Sequence, residues 1–165
     1  MRILYQSQTI IIREFMPGEE LLLIDLFNDD EVTRYLPACS PELSVKMFNT
    51  ALEDYNKGLL SRWGIFSSEN NNFIGMCLAR NFTENPDQIE IGYTLSKKYW
   101  GKGIATEVNI ALTKYCFANT GTQEVVAITD LGNVGSQKVL EKLGFKRLEN
   151  LIRNEDELAY FMIER

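Results

Sequence analysis

Alternating and β-branched runs of apolar residues predict seven strands along the chain. They cover Thr9–Glu14, Arg62–Ser67, Phe73–Asn81, Gln88–Leu95, Glu124–Thr129, Phe145–Leu148 and Leu158–Ile163. Asparagines at 70–72 separate the second run from the third and predict a hairpin turn between them.

Apolar residues three and four positions apart predict five helices between these strands. The helices cover Glu19–Asn28, Asp29–Leu36, Ser40 to about Lys57, a segment that begins after Gly103 and includes Tyr115, and Val134–Leu143. The order is β-α-α-α-β-β-β-α-β-α-β-β, with one β-α-β crossover in the second half. A chain of 165 residues has the length of one domain. We therefore expect one mixed α/β domain over residues 1–165.

Composition excludes several classes of chemistry. The chain contains no histidine, so imidazole-based triads and proton shuttles are excluded. The three cysteines, Cys39, Cys77 and Cys116, lack metal-ligand spacing, and we expect free, mostly buried thiols and no metal. The net charge of −6 disfavours nucleic-acid binding. No apolar stretch has the length of a membrane span and no secretory segment is recognised, so we expect a cytoplasmic protein without a membrane partner.

The segment from Lys97 to Thr106 has the pattern of a phosphate-binding turn. Gly101 and Gly103 lie directly before a predicted helix, whose N-terminus attracts anions through its free amides and its dipole. Lys97, Lys98 and Lys102 add positive charge. A glycine turn without any ligand is the plain alternative. A second alternative is a dinucleotide site, in which Thr106 replaces the third glycine of G-x-G-x-x-G and Asp130 would hold a ribose.

Two further polar residues lie where apolar ones are expected. Ser136 shares the apolar face of its predicted helix with Leu140, and Asn133 has the position of that helix's N-cap. Glu90 lies in the middle of the strand Gln88–Leu95, where burying a carboxylate is costly unless it is paired. Glu90 is a candidate general base, and the Ser136 hydroxyl on an apolar face needs a hydrogen-bond partner. The alternatives are a serine bonded to its own helix and a salt-bridged or outward-facing glutamate.

Five motifs in order resemble the GNAT acetyltransferases, in particular the RimJ/RimL-like ribosomal-protein N-terminal acetyltransferases. They are Ile11–Phe15 (IIREF), Glu31–Pro37 (EVTRYLP), Ile89–Leu95 (IEIGYTL), Tyr99–Glu107 (YWGKGIATE) and Asn133–Phe145 (NVGSQKVLEKLGF). The resemblance covers about residue 8 to the C-terminus. It implies a central, mostly antiparallel twisted sheet with one parallel crossover, flanked by helices.

The resemblance also implies acetyl-CoA as the cosubstrate and a primary amine as the acetyl acceptor. Pantetheine would add to the edge of the strand before the glycine turn, and the diphosphate would meet the amides of the turn. The residues so implied to bind the cosubstrate are Tyr93, Thr94, Leu95, Lys98, Gly101, Lys102, Gly103, Ile104, Ala105, Thr106, Asn133 and Ser136. The acceptor, a protein N-terminus or a small amine, and the state of monomer or homodimer stay open.

Direct attack of an amine on the thioester needs a base, donors to the oxyanion and a proton for the thiolate. The resemblance assigns Glu90 as base, backbone N–H near Tyr93 to the oxyanion, and Ser136 to the sulfur. The chain departs from the family at Leu140, where many members have the tyrosine that protonates the thiolate, and at Lys98, where many have Gln or Arg. A non-catalytic CoA-binding sensor is the competing function.

Overall fold

The structure, a computed structural model, describes residues 1–165. Its strands are β1 (Ile3–Gln6), β2 (Ile10–Arg13), β3 (Arg62–Ser67), β4 (Phe73–Asn81), β5 (Ile89–Leu95), β6 (Glu124–Asp130), β7 (Lys146–Arg147), β8 (Leu151–Arg153) and β9 (Asp156–Glu164). Its helices are α1 (Glu20–Phe27), α2 (Asp30–Thr33), α3 (Pro41–Asp54), α4 (Ile104–Asn119) and α5 (Val134–Lys142). A 3₁₀ turn at Lys97–Tyr99 follows β5.

The strands form one sheet in the order β1-β2-β3-β4-β5-β6-β9-β7, and β8 pairs with β9 outside this path. All neighbouring strands are antiparallel except β5 and β6, which the α4 crossover connects in parallel. The mixed fold with a mostly antiparallel sheet and one parallel crossover, expected from the sequence, is confirmed.

Two short strands are absent from the sequence prediction. β1 is an edge strand that pairs only with β2, and its residues are half-buried or exposed, so it shows little apolar alternation. β8 has three residues and turns back to β9 through Asn154 and Glu155, which have φ values of 51° and 70°. Such hairpin turns usually contain glycine, and this one carries no such signal in the sequence.

Helices cover both faces of the sheet and divide its side chains into two cores. The face packed by α4 and α5, here called the α4 face, buries Trp63, Ile91 and Phe161. The opposite face, here called the α1–α3 face, buries Met76 against Phe48 of α3 and Leu23 of α1. Since side chains alternate along a strand, the two faces fix where each polar residue of β5 points.

Candidate active site

β5 and β6 separate shortly after they begin. β5 pairs with β4 along all seven of its residues, but with β6 only at Ile89 and Glu90. Beyond Glu90, the edge of β5 that faces β6 has no strand partner. The carbonyl of Leu95 at its end accepts a hydrogen bond of 2.9 Å from the Trp100 indole. The free edge therefore centres on Tyr93, where an extended ligand can pair with the backbone. Thr94, also expected to bind the ligand, directs its backbone groups to β4 instead, because alternate residues of β5 form the hydrogen-bonded pairs with that strand.

The turn between β5 and α4 presents a run of free amides. Gly101 and Gly103 have φ values of 71° and 79°, and Gly103 is the N-cap of α4. The first backbone bond of α4 runs from the Glu107 amide to the Gly103 carbonyl, at 3.1 Å. The six amides of residues 101–106 donate no hydrogen bond within the chain. A Cβ atom at either glycine would meet nothing within 4 Å, so a ligand has room to approach these amides.

Two of the three lysines beside this turn carry unpaired charge. Lys97 forms an ion pair of 3.2 Å with Glu31. The ammonium groups of Lys98 and Lys102 lie 5.0 and 5.6 Å from the centre of the Tyr99 ring and form no ion pair. Their charges add to the positive end of α4, as a phosphate group requires.

Ser136 belongs to a hydrogen-bonded group that bridges β5 and α5. The Asn133 side chain accepts a bond of 3.1 Å from the Ser136 amide, which confirms the predicted N-cap. The Tyr93 hydroxyl lies 3.3 Å from the Ser136 Oγ and donates to it. Burial raises the pKa of Tyr93, although its bond to Ser136 acts in the opposite direction. The tyrosine therefore stays protonated and can support the serine hydroxyl as a donor.

The hydroxyl of Tyr93 is a functional group that the sequence analysis missed. Tyr93 lies on the α4 face with Ile91, and a tyrosine on a buried face needs a partner for its hydroxyl. This need for a hydrogen-bond partner could have identified the Tyr93 hydroxyl from the sequence. At position 140, where many members of the family have a tyrosine, this chain has a buried leucine, which supplies no hydroxyl.

Glu90 is buried on the α1–α3 face, with 5% of its surface exposed, and it is paired with two arginines. Arg80 donates to Oε1 at 2.8 Å and to Oε2 at 3.2 Å. Arg153 donates to Oε2 at 3.2 Å, and its bond to Oε1 is longer, at 3.5 Å. The two guanidinium groups let the carboxylate remain charged while buried. Glu90 is therefore the salt-bridged glutamate of the alternative prediction, and both of its oxygens accept hydrogen bonds from the arginines.

Arg153 connects Glu90 to a second carboxylate. Its guanidinium forms bonds of 2.6 and 2.7 Å with Glu84 in the β4–β5 loop. The hydrogen bonds that Arg153 donates to Glu84 and Glu90 outweigh the opposing effect of burial and raise the pKa of Arg153. Through this arginine, the β8–β9 hairpin is joined to the beginning of β5. Periodicity carries no signal for the contact, because 63 residues separate Arg153 from Glu90.

The candidate residues meet around the opening between β5 and β6, but from two sides. Tyr93 and Ser136 lie on the α4 face, together with the free amides of the turn. Glu90 lies on the α1–α3 face and makes no contact with Ser136. A cosubstrate bound along the opening would thus separate the two candidate catalytic groups.

Other features lie apart from this arrangement. Cys77 and Cys116 are buried free thiols, and burial raises the pKa of Cys116 to about 12. No three His, Cys, Asp or Glu side chains are placed to hold a metal ion. No helix has both the length and the hydropathy to cross a membrane. A cavity of about 640 Å³ between residues 85–87 and 120–124 lies near the beginning of β5, away from the turn that follows its end.

Comparisons with known proteins identify the family and the fold. The family described as acetyltransferase (GNAT) domain matches residues 9–146. The uncharacterized N-acetyltransferase YoaA of Bacillus subtilis is 27% identical over 151 residues, which is 90% of this chain and 85% of that protein.

Solved structures share the whole fold at low sequence identity. The RimL ribosomal L7/L12 α-N-protein acetyltransferase in complex with coenzyme A has a TM-score of 0.82 at 18% identity, covering 99% of this chain and 98% of that one. The spermidine N-acetyltransferase of Vibrio cholerae, in complex with CoA and spermine, has a TM-score of 0.78 at 16% identity and covers 96% of each chain.

Proposed function

Since the chain belongs to the GNAT acetyltransferase family, we propose that it transfers the acetyl group of acetyl-CoA to a primary amine by direct attack on the thioester. The observation that carries this proposal is the run of six free amides at residues 101–106, directly beyond the point where β5 leaves β6. Two neighbours in fold, the RimL and the spermidine acetyltransferases, were solved with CoA. They support the cosubstrate, and they differ in acceptor.

Acetyl-CoA supplies the acetyl group as a thioester, and the residues of this chain fit its shape. The amides of Gly101, Lys102, Gly103, Ile104, Ala105 and Thr106 would bind the diphosphate, with the charges of Lys98 and Lys102 beside them. The free edge of β5 at Tyr93, up to the amide of Leu95, would pair with the amide groups of pantetheine. The Asn133 side chain, at the mouth of the opening, would contact the same arm.

We assign the two proton transfers to Glu90 and Ser136, which lie on opposite faces of the sheet at the opening. Glu90 would accept the amine proton through a water molecule, although both of its oxygens also accept hydrogen bonds from the arginines, at 2.8–3.5 Å. Ser136 would donate to the leaving sulfur, and the Tyr93 hydroxyl would orient it from behind. Backbone N–H groups near Tyr93 would donate to the thioester oxygen. No covalent intermediate with the enzyme is needed, so the lack of histidine is no obstacle.

A pair of glycine variants tests the proposed cosubstrate site. Gly101→Val would place a side chain where the diphosphate meets the amides, and we expect acetyl-CoA binding to be lost in calorimetry. Gly18→Val is the matched control, because Gly18 also has a positive φ, 93°, and open space around its Cβ position. Both variants carry the same backbone strain. A folded Gly101→Val protein that binds acetyl-CoA as tightly as Gly18→Val would overturn the assignment.

A further inference from the structure

Arg62, the first residue of β3, is a half-buried arginine without a partner. Its side chain forms no hydrogen bond and no ion pair, and its Nε is buried with no acceptor. Burial, followed by the charge of neighbouring Arg80, lowers the pKa of Arg62. A guanidinium in this state gains from any anion that reaches it, because a buried charge is costly until it is paired.

Arg62 is the one arginine of its cluster that forms no ion pair. Arg80 and Arg153 are neutralised by Glu90 and Glu84. The remaining carboxylate nearby, Asp54 at the end of α3, acts on Arg62 from beyond ion-pair distance. Three carboxylates thus face three arginines, and only the Arg62 side chain forms no ion pair or hydrogen bond.

A cavity of about 210 Å³ lies at this arginine. Its wall includes Asp54, Ser61, Arg62, Leu78, Arg80 and Asn81. Two of these residues are arginines whose side chains share the α1–α3 face, since Arg62 pairs with Leu78 and Arg80 lies two residues further along β4. The space suits a small anionic group such as a carboxylate, which an arginine can bind through two parallel hydrogen bonds.

The register of the sheet connects this cavity to the candidate active site. Arg62 pairs with Leu78, and Leu78 pairs with Gly92, which lies in the part of β5 that has left β6. Two strand spacings, roughly 10 Å, separate the backbone of Arg62 from that of Gly92. Between them lie the apolar side chain of Leu78 and a glycine without a side chain. Leu78 and Gly92 therefore lie in one row between the cavity and the opening.

We propose that Arg62 binds a carboxylate of the acetyl acceptor, and that the acceptor is a peptide-like amine whose carboxylate lies two or three residues from the amino group. Two or three extended residues span roughly 7–10 Å, which matches the distance along this row, whereas the carboxylate of a free α-amino acid is too close to its amine. The carboxylate is either an acidic side chain near a protein N-terminus or the C-terminus of a short peptide. This inference rests on the proposed function.

Binding of acetylated products tests the inference without turnover. Calorimetry would compare Ac-Ser-Asp-amide with the isosteric Ac-Ser-Asn-amide, and Ac-Ser-Ala with Ac-Ser-Ala-amide, in the presence and absence of CoA. We expect at least one carboxylate peptide to bind about tenfold or more tightly than its neutral partner. The first pair tests an acidic side chain and the second a peptide C-terminus. Equal binding within both pairs, or no binding in either, would overturn the proposal.

Variants assign the effect to Arg62. Arg62→Gln should remove the preference for the carboxylate and keep the fold, because Arg62 supports no other group through its side chain. Lys114→Gln removes the same charge from the exposed side of α4 and should keep the preference. Asp54→Asn should strengthen it. A preference that survives in Arg62→Gln contradicts the inference. Loss of CoA binding and of transfer to every amine would instead refute the proposed function, and the peptide titrations without CoA are independent of that result.

Discussion

Glu90 is the residue whose role depends most on its surroundings. A buried carboxylate on a central strand is a plausible base, and here two arginines hold it in place from both sides. The same contacts that allow the charge to be buried also occupy most of its lone pairs. A base and a purely structural anchor for the arginines would therefore occupy the same position, and they differ in how much more kcat falls when the carboxylate is removed than when one arginine is removed.

Glu90→Gln should lower kcat by roughly a hundredfold or more, with little change in acetyl-CoA affinity, because the proton acceptor is lost. Arg153→Gln is the control, since it removes one of the two ion pairs of Glu90 and keeps the carboxylate paired with Arg80; it should cost much less. Equal losses of kcat in both variants would make Glu90 a structural residue.

Ser136→Ala should reduce kcat by roughly tenfold or more and leave the KM for acetyl-CoA nearly unchanged, because the leaving sulfur loses its donor. Tyr93→Phe keeps the serine and removes the hydroxyl behind it, so we expect a smaller loss in the same direction. Steady-state kinetics of the two variants measure both effects. Full activity of Ser136→Ala would favour a serine that serves only α5.

Some of the candidate site residues could be identified from the sequence, and the partners of others could not. Ser136 and Asn133 could be identified because helical spacing places them at the start of α5, and the N-cap is a local interaction. The partners of Glu90 could not, because Arg153 approaches from a three-residue strand with no recognisable pattern. Arg62 likewise has no local signal, since its isolation depends on which carboxylates the fold brings to Arg80 and Arg153.

Among the elements, β5 carries both Glu90 and Tyr93, and the β8–β9 hairpin contributes Arg153, which pairs with Glu90. Strand and helix boundaries follow from periodicity, so β3 and β4 agree with the predicted ranges at both ends. The early separation of β5 from β6 does not follow from periodicity, because both strands keep their apolar alternation beyond it. The hairpin reaches the site through the contact of Arg153 with Glu84, which makes that ion pair the testable link between the two elements.

The hydrogen bond from Arg153 holds the pKa of Glu84 below its usual value of 4.5. A lowered pKa in the folded state means that the stabilisation is present above the ordinary glutamate pKa and is lost as pH falls through the folded value. We expect Glu84→Gln to cost at most about 1 kcal/mol at neutral pH, and nothing in acid.

Urea unfolding at neutral pH and at successive steps below pH 4.5 measures this difference. Glu69→Gln is the matched control, because Glu69 is an exposed glutamate in the β3–β4 turn and forms no ion pair. A cost of Glu84→Gln that stays constant in acid, or equals that of Glu69→Gln, would show that the ion pair contributes no stability.

For the whole molecule, the sheet separates two kinds of chemistry. Free amides, lysines and the Tyr93–Ser136 pair lie at the opening on the α4 side, and the arginine–glutamate cluster lies on the other. The GNAT family and its fold, predicted from five motifs in order, are confirmed by the family match and by the sheet. The acceptor stayed open in the sequence because the residues that we propose for its side of the site come from β3, β4 and β8 and meet only in the folded chain.

The most direct test of the account is release of CoA from acetyl-CoA, followed with a thiol reagent and with mass spectrometry of the acceptor. The acceptors would include N-terminal peptides with and without acidic residues, polyamines, aminoglycosides and free amino acids. For an acetyltransferase, we expect thiol release that depends on an amine, with one acetyl group added to that amine. A protein that binds acetyl-CoA and acetylates none of these amines would contradict it, and would favour a CoA-binding sensor instead.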